Sequence, residues 1–204
     1  MRPFTIHEGV ACPLPLTGVD TDQLIPARFM KRSRAEGYGG YLLHDLRFDE
    51  TGAPRPGFPL DAPQRAGASI LVTRRNFGAG SSREAAVYAL VDFGVRCVVA
   101  PSFGDIFAQN AVNNGLLPAR VSEADAERLI AALLAGETRA RVDLETCRVA
   151  LGALDVAFAI DPVWRARLLN GWEDVDLTLS RAAEIAAFVA ADRTRRPWAI
   201  PQRP

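Results

Sequence analysis

Short apolar runs alternate with helix-length stretches of mixed character in the part of the chain that follows residue 67. The β-branched run Ser69–Thr73 predicts a strand, and Arg96–Ala100 predicts a second, buried strand. Between them, Ser81–Asp92 is rich in Ala and Leu and is followed by Gly94, which predicts a helix and its end. Strand, glycine turn, helix and strand make a βαβ unit, whose two strands we expect to be parallel.

The same alternation continues downstream. The pattern predicts helices at 102–114, 122–136, 161–171 and 181–191, and short strands at 141–144, 148–151 and 156–160. Ser102 and Ser122 each open a Ser-x-x-Asp cap, and Asp161-Pro162 combines a cap with a first-turn proline. Residues 48–67 are rich in Pro and Gly and are expected to form a surface connection between an N-terminal lobe and this α/β part. We expect one α/β domain over 1–204, with a loosely held tail at 193–204.

Composition narrows the class of protein. The 24 basic and 24 acidic side chains cancel, which argues against a nucleic-acid binder. No apolar run approaches the roughly 18 residues of a membrane span, and the N-terminal stretch lacks the apolar core of a signal peptide. A cytoplasmic location is therefore expected. The cysteines are odd in number and far apart, so neither a disulfide framework nor a metal cluster made by this chain alone is expected: Cys12, Cys97, Cys147.

The segment Asn76–Glu84 is the candidate for the functional site. Gly78 and Gly80 follow a predicted strand, where they let the backbone turn sharply and approach a ligand. The turn leads into a helix start, whose unpaired N–H groups favour an anion. Arg83 stands at this end, where a cation opposes the helix dipole unless its partner is a bound anion. The segment is therefore interpreted as a cradle for a carboxylate or phosphate, with a hydroxyl in reach.

Other interpretations of this segment differ in strength. A P-loop needs Gly-Lys-Ser/Thr, a dinucleotide fingerprint needs glycine in place of Arg83, and a hydrolase elbow needs Gly-x-Ser-x-Gly, so all three fail. A pair of serine with His7 or His44 is unsupported. Ser81-x-x-Glu84 is also a capping box, and the residues alone favour a cap for Ser81 and a structural role for Ser82 and Glu84.

The string Asn-Phe-Gly-x-Gly-Ser-Ser-Arg-Glu closely resembles the signature of the 3-isopropylmalate dehydratase small subunits, a family similar to the swivelling domain of aconitase. Further motifs match in the family's order over nearly the whole chain, and they are Val19–Pro26, Asp45–Phe48, Ala100–Phe107, Asn114–Pro118 and Gly171–Val175. The resemblance implies a single swivelling β/β/α domain like the aconitase C-terminal domain.

The resemblance also implies a hydro-lyase of leucine biosynthesis, a branched-chain amino-acid pathway, that is active only with a large subunit. The large subunit would hold a [4Fe–4S] cluster, and this chain would bind none. The two subunits would form a heterodimer or a heterotetramer. The cluster iron would act as a Lewis acid on a small di- or tricarboxylate. The implied catalytic residues are Ser81 as base and Asp22 as acid. The implied substrate ligands are Arg83, Arg34, Ser82 and Gly80.

Two positions depart from the family pattern. Ala79 stands where the family usually has Cys, and Ala85 stands where it usually has His. A related dicarboxylate of the citraconate, methylmalate or dimethylmalate type is therefore the alternative substrate, and a non-catalytic regulatory subunit is the other rival. The glycine-rich, charged stretch Lys31–Gly40 is the candidate for a mobile loop that sorts substrates.

Overall fold

A mixed β-sheet organises the chain in this computed structural model, which describes residues 1–199. Within that range the sheet has seven strands in the order β4-β3-β2-β1-β5-β6-β7. They are Ile6–Leu14 (β1), Ala68–Thr73 (β2), Cys97–Ala100 (β3), Leu117–Arg120 (β4), Arg139–Asp143 (β5), Arg148–Leu151 (β6) and Leu154–Ala157 (β7). Neighbouring strands from β4 to β1 are parallel, and those from β1 to β7 are antiparallel. The predicted α/β class and the parallel βαβ unit are confirmed.

Helices follow the parallel strands. The α-helices of the described residues are Thr21–Leu24 (α1), His44–Arg47 (α2), Glu84–Phe93 (α3), Asp105–Asn113 (α4), Glu123–Leu134 (α5), Pro162–Asn170 (α6), Asp174–Leu179 (α7) and Ala182–Arg195 (α8). Successive residues of a strand point to opposite faces of a sheet. Ile70 and Val72 accordingly join one buried cluster with α5, while Leu71 joins a second cluster with α3 and α4.

The strand β1 was not predicted, and it changes the role of the N-terminal region. β1 pairs with β2 on one side and with β5 on the other, so it lies in the middle of the sheet. The N-terminal region is therefore part of the central sheet, and it does not form the separate lobe that was expected. The stretch 48–67, expected on the surface, also reaches inward, because Arg65 within it is buried.

The helix caps show which of the capping predictions are correct. Ser122 accepts a hydrogen bond from the backbone N–H of Asp125 at 3.0 Å, and Asp161 caps α6 ahead of Pro162, so both predicted caps are confirmed. The cap predicted at Ser102 is wrong. α4 begins after Gly104, and the Ser102 hydroxyl instead accepts from the backbone N–H of Asn76 at 2.9 Å.

The chain divides into two compact units, residues 1–171 and residues 172–204. The second unit contains α7, α8 and a short turn at Pro197–Ala199. α8 starts one residue after the predicted position and runs to Arg195, into the predicted tail, of which 200–204 lie outside the described residues. None of the helices in residues 1–199 has the length and apolar character needed to cross a membrane.

Candidate active site

The segment Asn76–Glu84 follows β2 and lies against the turn that begins α1. The backbone N–H of Gly78 donates to Val19 O at 2.7 Å, and that of Thr21 donates to Ala79 O at 2.9 Å. The backbone has φ of +73° at Gly78, where an added Cβ would lie 2.2 Å from the ring of Phe107. Only glycine tolerates both that conformation and that contact. The glycine fixes the path of the chain just before the candidate catalytic residues.

Ser81 does not cap the helix that follows it. α3 begins at Glu84, with Arg83 as an extended N-cap residue whose side chain makes no capping hydrogen bond. The capping-box interpretation of Ser81 and Glu84 is therefore wrong, and Glu84 instead accepts a hydrogen bond from Asn114 Nδ2 at 2.9 Å. The Ser81 carbonyl accepts from the hydroxyl of Thr21 at 2.9 Å. The exposed Ser81 hydroxyl makes no hydrogen bond to any residue that the structure describes.

Arg83 and Asp22 meet as an ion pair, although they are 61 residues apart in the chain. The Arg83 side chain is 22% exposed and that of Asp22 is 57% exposed. α1 carries Asp22, and the hydrogen bonds of Thr21 to the 76–84 segment hold that helix in place. The fold thus brings together Arg83, which the residues themselves placed in an anion site, and Asp22, which only the resemblance placed there.

Arg34 belongs to a different contact set. Its guanidinium lies 3.6 Å from the ring centre of Tyr88, and its Nη2 lies 3.3 Å from Asp92 Oδ1. Tyr88 and Asp92 are one and two turns along α3 from Glu84. Arg34 is therefore attached to the helix that Arg83 begins, but not to Arg83 itself.

The remaining predicted ligands are accessible backbone positions. Gly80 and Ser82 are both exposed, and Gly80 has φ of +96°. A Cβ on Gly80 would lie 3.5 Å from the Thr21 hydroxyl, an ordinary contact, so conformation rather than crowding requires glycine here.

Metal ligands are not gathered in the described part of the chain. Within residues 1–199 no three His, Cys, Asp or Glu side chains are placed to hold a metal ion. Burial raises the pKa of the Cys12 thiol to about 12, and it also raises the pKa of Cys97. A buried thiol of this kind resists the deprotonation that metal binding needs. These cysteines do not fit an iron–sulfur cluster.

Four neighbours of the site were not predicted from sequence: Thr21, Tyr88, Asp92, Asn114. Thr21 and Asn114 lie in the family motifs Val19–Pro26 and Asn114–Pro118, but they reach the 76–84 segment from elsewhere in the fold, so no signal in the sequence indicated that contact. Tyr88 and Asp92 did leave a signal, because they follow Glu84 at intervals of four and so share one face of α3.

Known proteins resemble this chain over most of its length. Residues 1–124 match the model of the aconitase C-terminal domain. The chain is 46% identical over 202 residues to the 3-isopropylmalate dehydratase small subunit of Rhodospirillum centenum, covering 98% of this chain and all of that protein. The chain belongs to the family of 3-isopropylmalate dehydratase small subunits.

Other members of the family are similar over comparable lengths. The small subunit of Dinoroseobacter shibae is 42% identical over 200 residues, covering 97% of this chain and 100% of that protein. The crystal structure of 3-isopropylmalate dehydratase from Methanocaldococcus jannaschii matches 89% of this chain and 98% of its own, with a TM-score of 0.62 and 23% identity. At that identity the structural match supports the fold alone.

Proposed function

We propose that this chain is the small subunit of a hydro-lyase that interconverts 2-isopropylmalate and 3-isopropylmalate in leucine biosynthesis. The reaction removes water through a maleate-type intermediate and adds it back at the neighbouring carbon. The observation that carries the proposal is the intact Asp22–Arg83 pair beside the unbonded Ser81 hydroxyl, in a chain that is 46% identical to a small subunit along 98% of its length.

Arg83 is the proposed ligand of one substrate carboxylate. A planar guanidinium can bind a carboxylate through two parallel hydrogen bonds. In this structure its partner is Asp22, whose side chain is more than half exposed. An exposed ion pair contributes at most about 1 kcal/mol, so a substrate carboxylate can displace Asp22 at small cost. Asp22 then stands free beside the substrate as the proposed acid.

Ser81 is the proposed base that takes the proton from the carbon next to a carboxylate. The structure leaves its hydroxyl unbonded within residues 1–199, and α3 begins two residues after Ser82 without a side-chain cap. The free N–H groups of the helix start favour negative charge, which an alkoxide needs. Gly80 and Ser82 flank the base and are proposed to contact the substrate through the backbone.

The remaining parts of the proposed enzyme lie in a partner. Because Cys12 and Cys97 are buried with raised pKa values, and no three potential ligands gather within residues 1–199, we assign the [4Fe–4S] cluster to a large subunit, in a heterodimer or heterotetramer. We also propose that Arg34 binds the second carboxylate and that the enzyme is cytoplasmic. The roles assigned to this chain are carboxylate binding and proton transfer.

A second substrate class is favoured by the two departures from the family pattern. Ala79 forms a bridge with Asp20, next to α1, and Ala85 lies in the first turn of α3. Ala79 is therefore adjacent to the helix that carries Asp22, and Ala85 is two residues from Arg83, so we propose that the lost Cys and His change the surroundings of this pair. A methylmalate–citraconate or dimethylmalate reaction would use the same base and arginine.

Steady-state kinetics of this chain purified with its large subunit distinguish these functions. The proposal predicts the highest kcat/KM for isopropylmalate. A higher kcat/KM for citraconate or a methylated malate would change the assigned substrate but leave the proposed reaction chemistry unchanged. A large subunit that turns over equally well alone would make this chain a regulatory subunit.

A further inference from the structure

One face of α3 holds a second segment of the chain in place. Glu84, Tyr88 and Asp92 recur at intervals of four, so their side chains form a stripe along the helix. Residues 33–41, which we call the docked segment, lie against this stripe. They contact α3 through the Arg34 side chain, the backbone N–H of Tyr38 and the close approach of Gly39.

The side-chain contact is made by Arg34. The face of its guanidinium stacks on Tyr88 at 3.6 Å, and one edge pairs with Asp92 at 3.3 Å. A guanidinium has five N–H donors, of which Asp92 takes one. The Arg34 side chain remains 43% exposed. Its orientation is therefore fixed while other donors remain open to a ligand.

The backbone contacts reinforce the same position. The N–H of Tyr38 donates to Asp92 Oδ2 at 3.0 Å, so Asp92 binds the docked segment through both of its oxygens. An added Cβ at Gly39 would lie 2.7 Å from the backbone of Asp92 and Phe93, so the segment approaches the helix as closely as a glycine permits. The Tyr38 ring is buried and lies 6.4 Å from that of Tyr88.

The stripe also connects this segment to the start of α3. Burial and a hydrogen bond with Glu84 raise the pKa of Tyr88, and the nearby Arg34 opposes this shift. Glu84 is in turn bound by Asn114 at 2.9 Å. Polar side chains therefore line this face of α3 from Glu84 to Asp92, and Arg34 lies against Tyr88 and Asp92.

We propose that Tyr88 and Asp92 are positioning residues that hold Arg34 on α3 and present the free edge of its guanidinium to the second carboxylate of the substrate. The proposal rests on the proposed function, because it concerns the substrate of that same site. Tyr88 acts through the face of its ring and Asp92 acts through its two oxygens. Neither residue touches the reacting atoms.

Limited trypsin digestion of the full chain tests the attachment without any activity. Lys31, Arg32 and Arg34 supply cleavage sites in and beside the docked segment. Asp92→Ala should speed cleavage at these sites about fivefold, since proteolysis follows the population of the opened segment. Tyr88→Leu should do the same, whereas Tyr88→Phe keeps the ring and should leave the rate unchanged. Glu8→Ala on β1, which breaks an exposed pair with Arg141 of β5, is the matched control.

Kinetics of the assembled enzyme test the positioning. Asp92→Ala should raise the KM for isopropylmalate about fivefold and leave kcat within about twofold, because it weakens ground-state binding. Asp92→Glu should recover part of the loss, and Glu8→Ala should change neither constant. An unchanged cleavage rate would refute the attachment, and faster cleavage with an unchanged KM would refute the positioning of Arg34. If the wild-type enzyme does not act on isopropylmalate, the proposed function fails while the digestion result stands.

Discussion

Two arginines in this chain, Arg83 of the proposed site and Arg65 of the core, show how burial decides whether an arginine can change its partner. Arg83 stands at the start of α3, is 22% exposed, and has one exposed carboxylate as its partner. Arg65 is 5% exposed and donates to three backbone carbonyls at 2.5 to 2.7 Å. An exposed carboxylate can return to water when a ligand arrives, but a buried carbonyl cannot. Of these two arginines, Arg83 is therefore the one that is able to exchange partners.

The Arg65 contacts explain its burial. They join Ala11 of β1, Leu133 in the last turn of α5, and Glu137 just before β5. Carbonyls at a helix C-terminus favour a cation, which offsets part of the cost of burying this one. Arg65 is therefore a structural clamp across the sheet, and it comes from a stretch that the sequence marked only as a connection.

The largest effect is expected at Arg83. Arg83→Lys keeps the charge but loses the planar pair of donors, so kcat/KM of the assembled enzyme should fall on the order of 10²-fold to 10³-fold. The free energy of unfolding should stay within about 0.5 kcal/mol. Arg75→Lys, at a neighbouring exposed arginine paired with Glu123, is the control and should retain full activity. Equal losses in both variants would contradict the assignment of Arg83.

Arg65→Met should reverse this pattern. Removing the guanidinium takes a donor from three backbone carbonyls, of which those of Ala11 and Leu133 are buried, so the free energy of unfolding should fall by about 3 kcal/mol. Chemical denaturation of the isolated chain measures this loss. The kcat per assembled enzyme should stay close to that of the wild type at a temperature where the variant is folded. A stable variant with low kcat would place Arg65 in the site instead.

The smallest effect is expected from His7, whose ring nitrogen lies 2.8 Å from the Ser69 hydroxyl. Burial, together with Arg96 and Arg2, lowers the pKa of His7 below 6.5. The unfolded chain therefore binds more protons in the window below 6.5, so stability should rise with pH up to about 6.5 and then level off. Unfolding curves of His7→Gln, measured across this pH range, should show a smaller rise in the free energy of unfolding. The difference from the wild type should be under about 1 kcal/mol. An unchanged slope would show that His7 does not titrate differently in the two states.

Local signals in the sequence predicted much of the fold. The caps at Ser122 and Asp161 and the parallel βαβ unit depend on neighbours in the chain, and they were predicted correctly. The caps predicted at Ser81 and Ser102 failed for different reasons. Ser102 binds the backbone of Asn76, and the turn through Gly80 delays the start of α3.

Non-local contacts account for what the sequence did not supply. The Asp22–Arg83 pair and the attachment of Arg34 to α3 join residues about 60 positions apart, and no spacing rule links them. β1 was missed because its apolar run is interrupted by Gly9 and Pro13, and its place in the sheet depends on pairing with β2 and β5. The residues alone indicated an anion site around Arg83, the resemblance supplied the roles of Ser81 and Asp22, and the fold supplied the arrangement of the three.

The most direct test of the account is the turnover of isopropylmalate by the Ser81→Ala enzyme assembled with its large subunit. The account predicts that kcat falls at least on the order of 10³-fold, because the base is lost, while the variant folds and co-purifies with the large subunit as the wild type does. Ser180→Ala, an exposed serine at the end of α7, is the control and should keep full activity. Full turnover by Ser81→Ala would contradict the catalytic role assigned to the 76–84 segment.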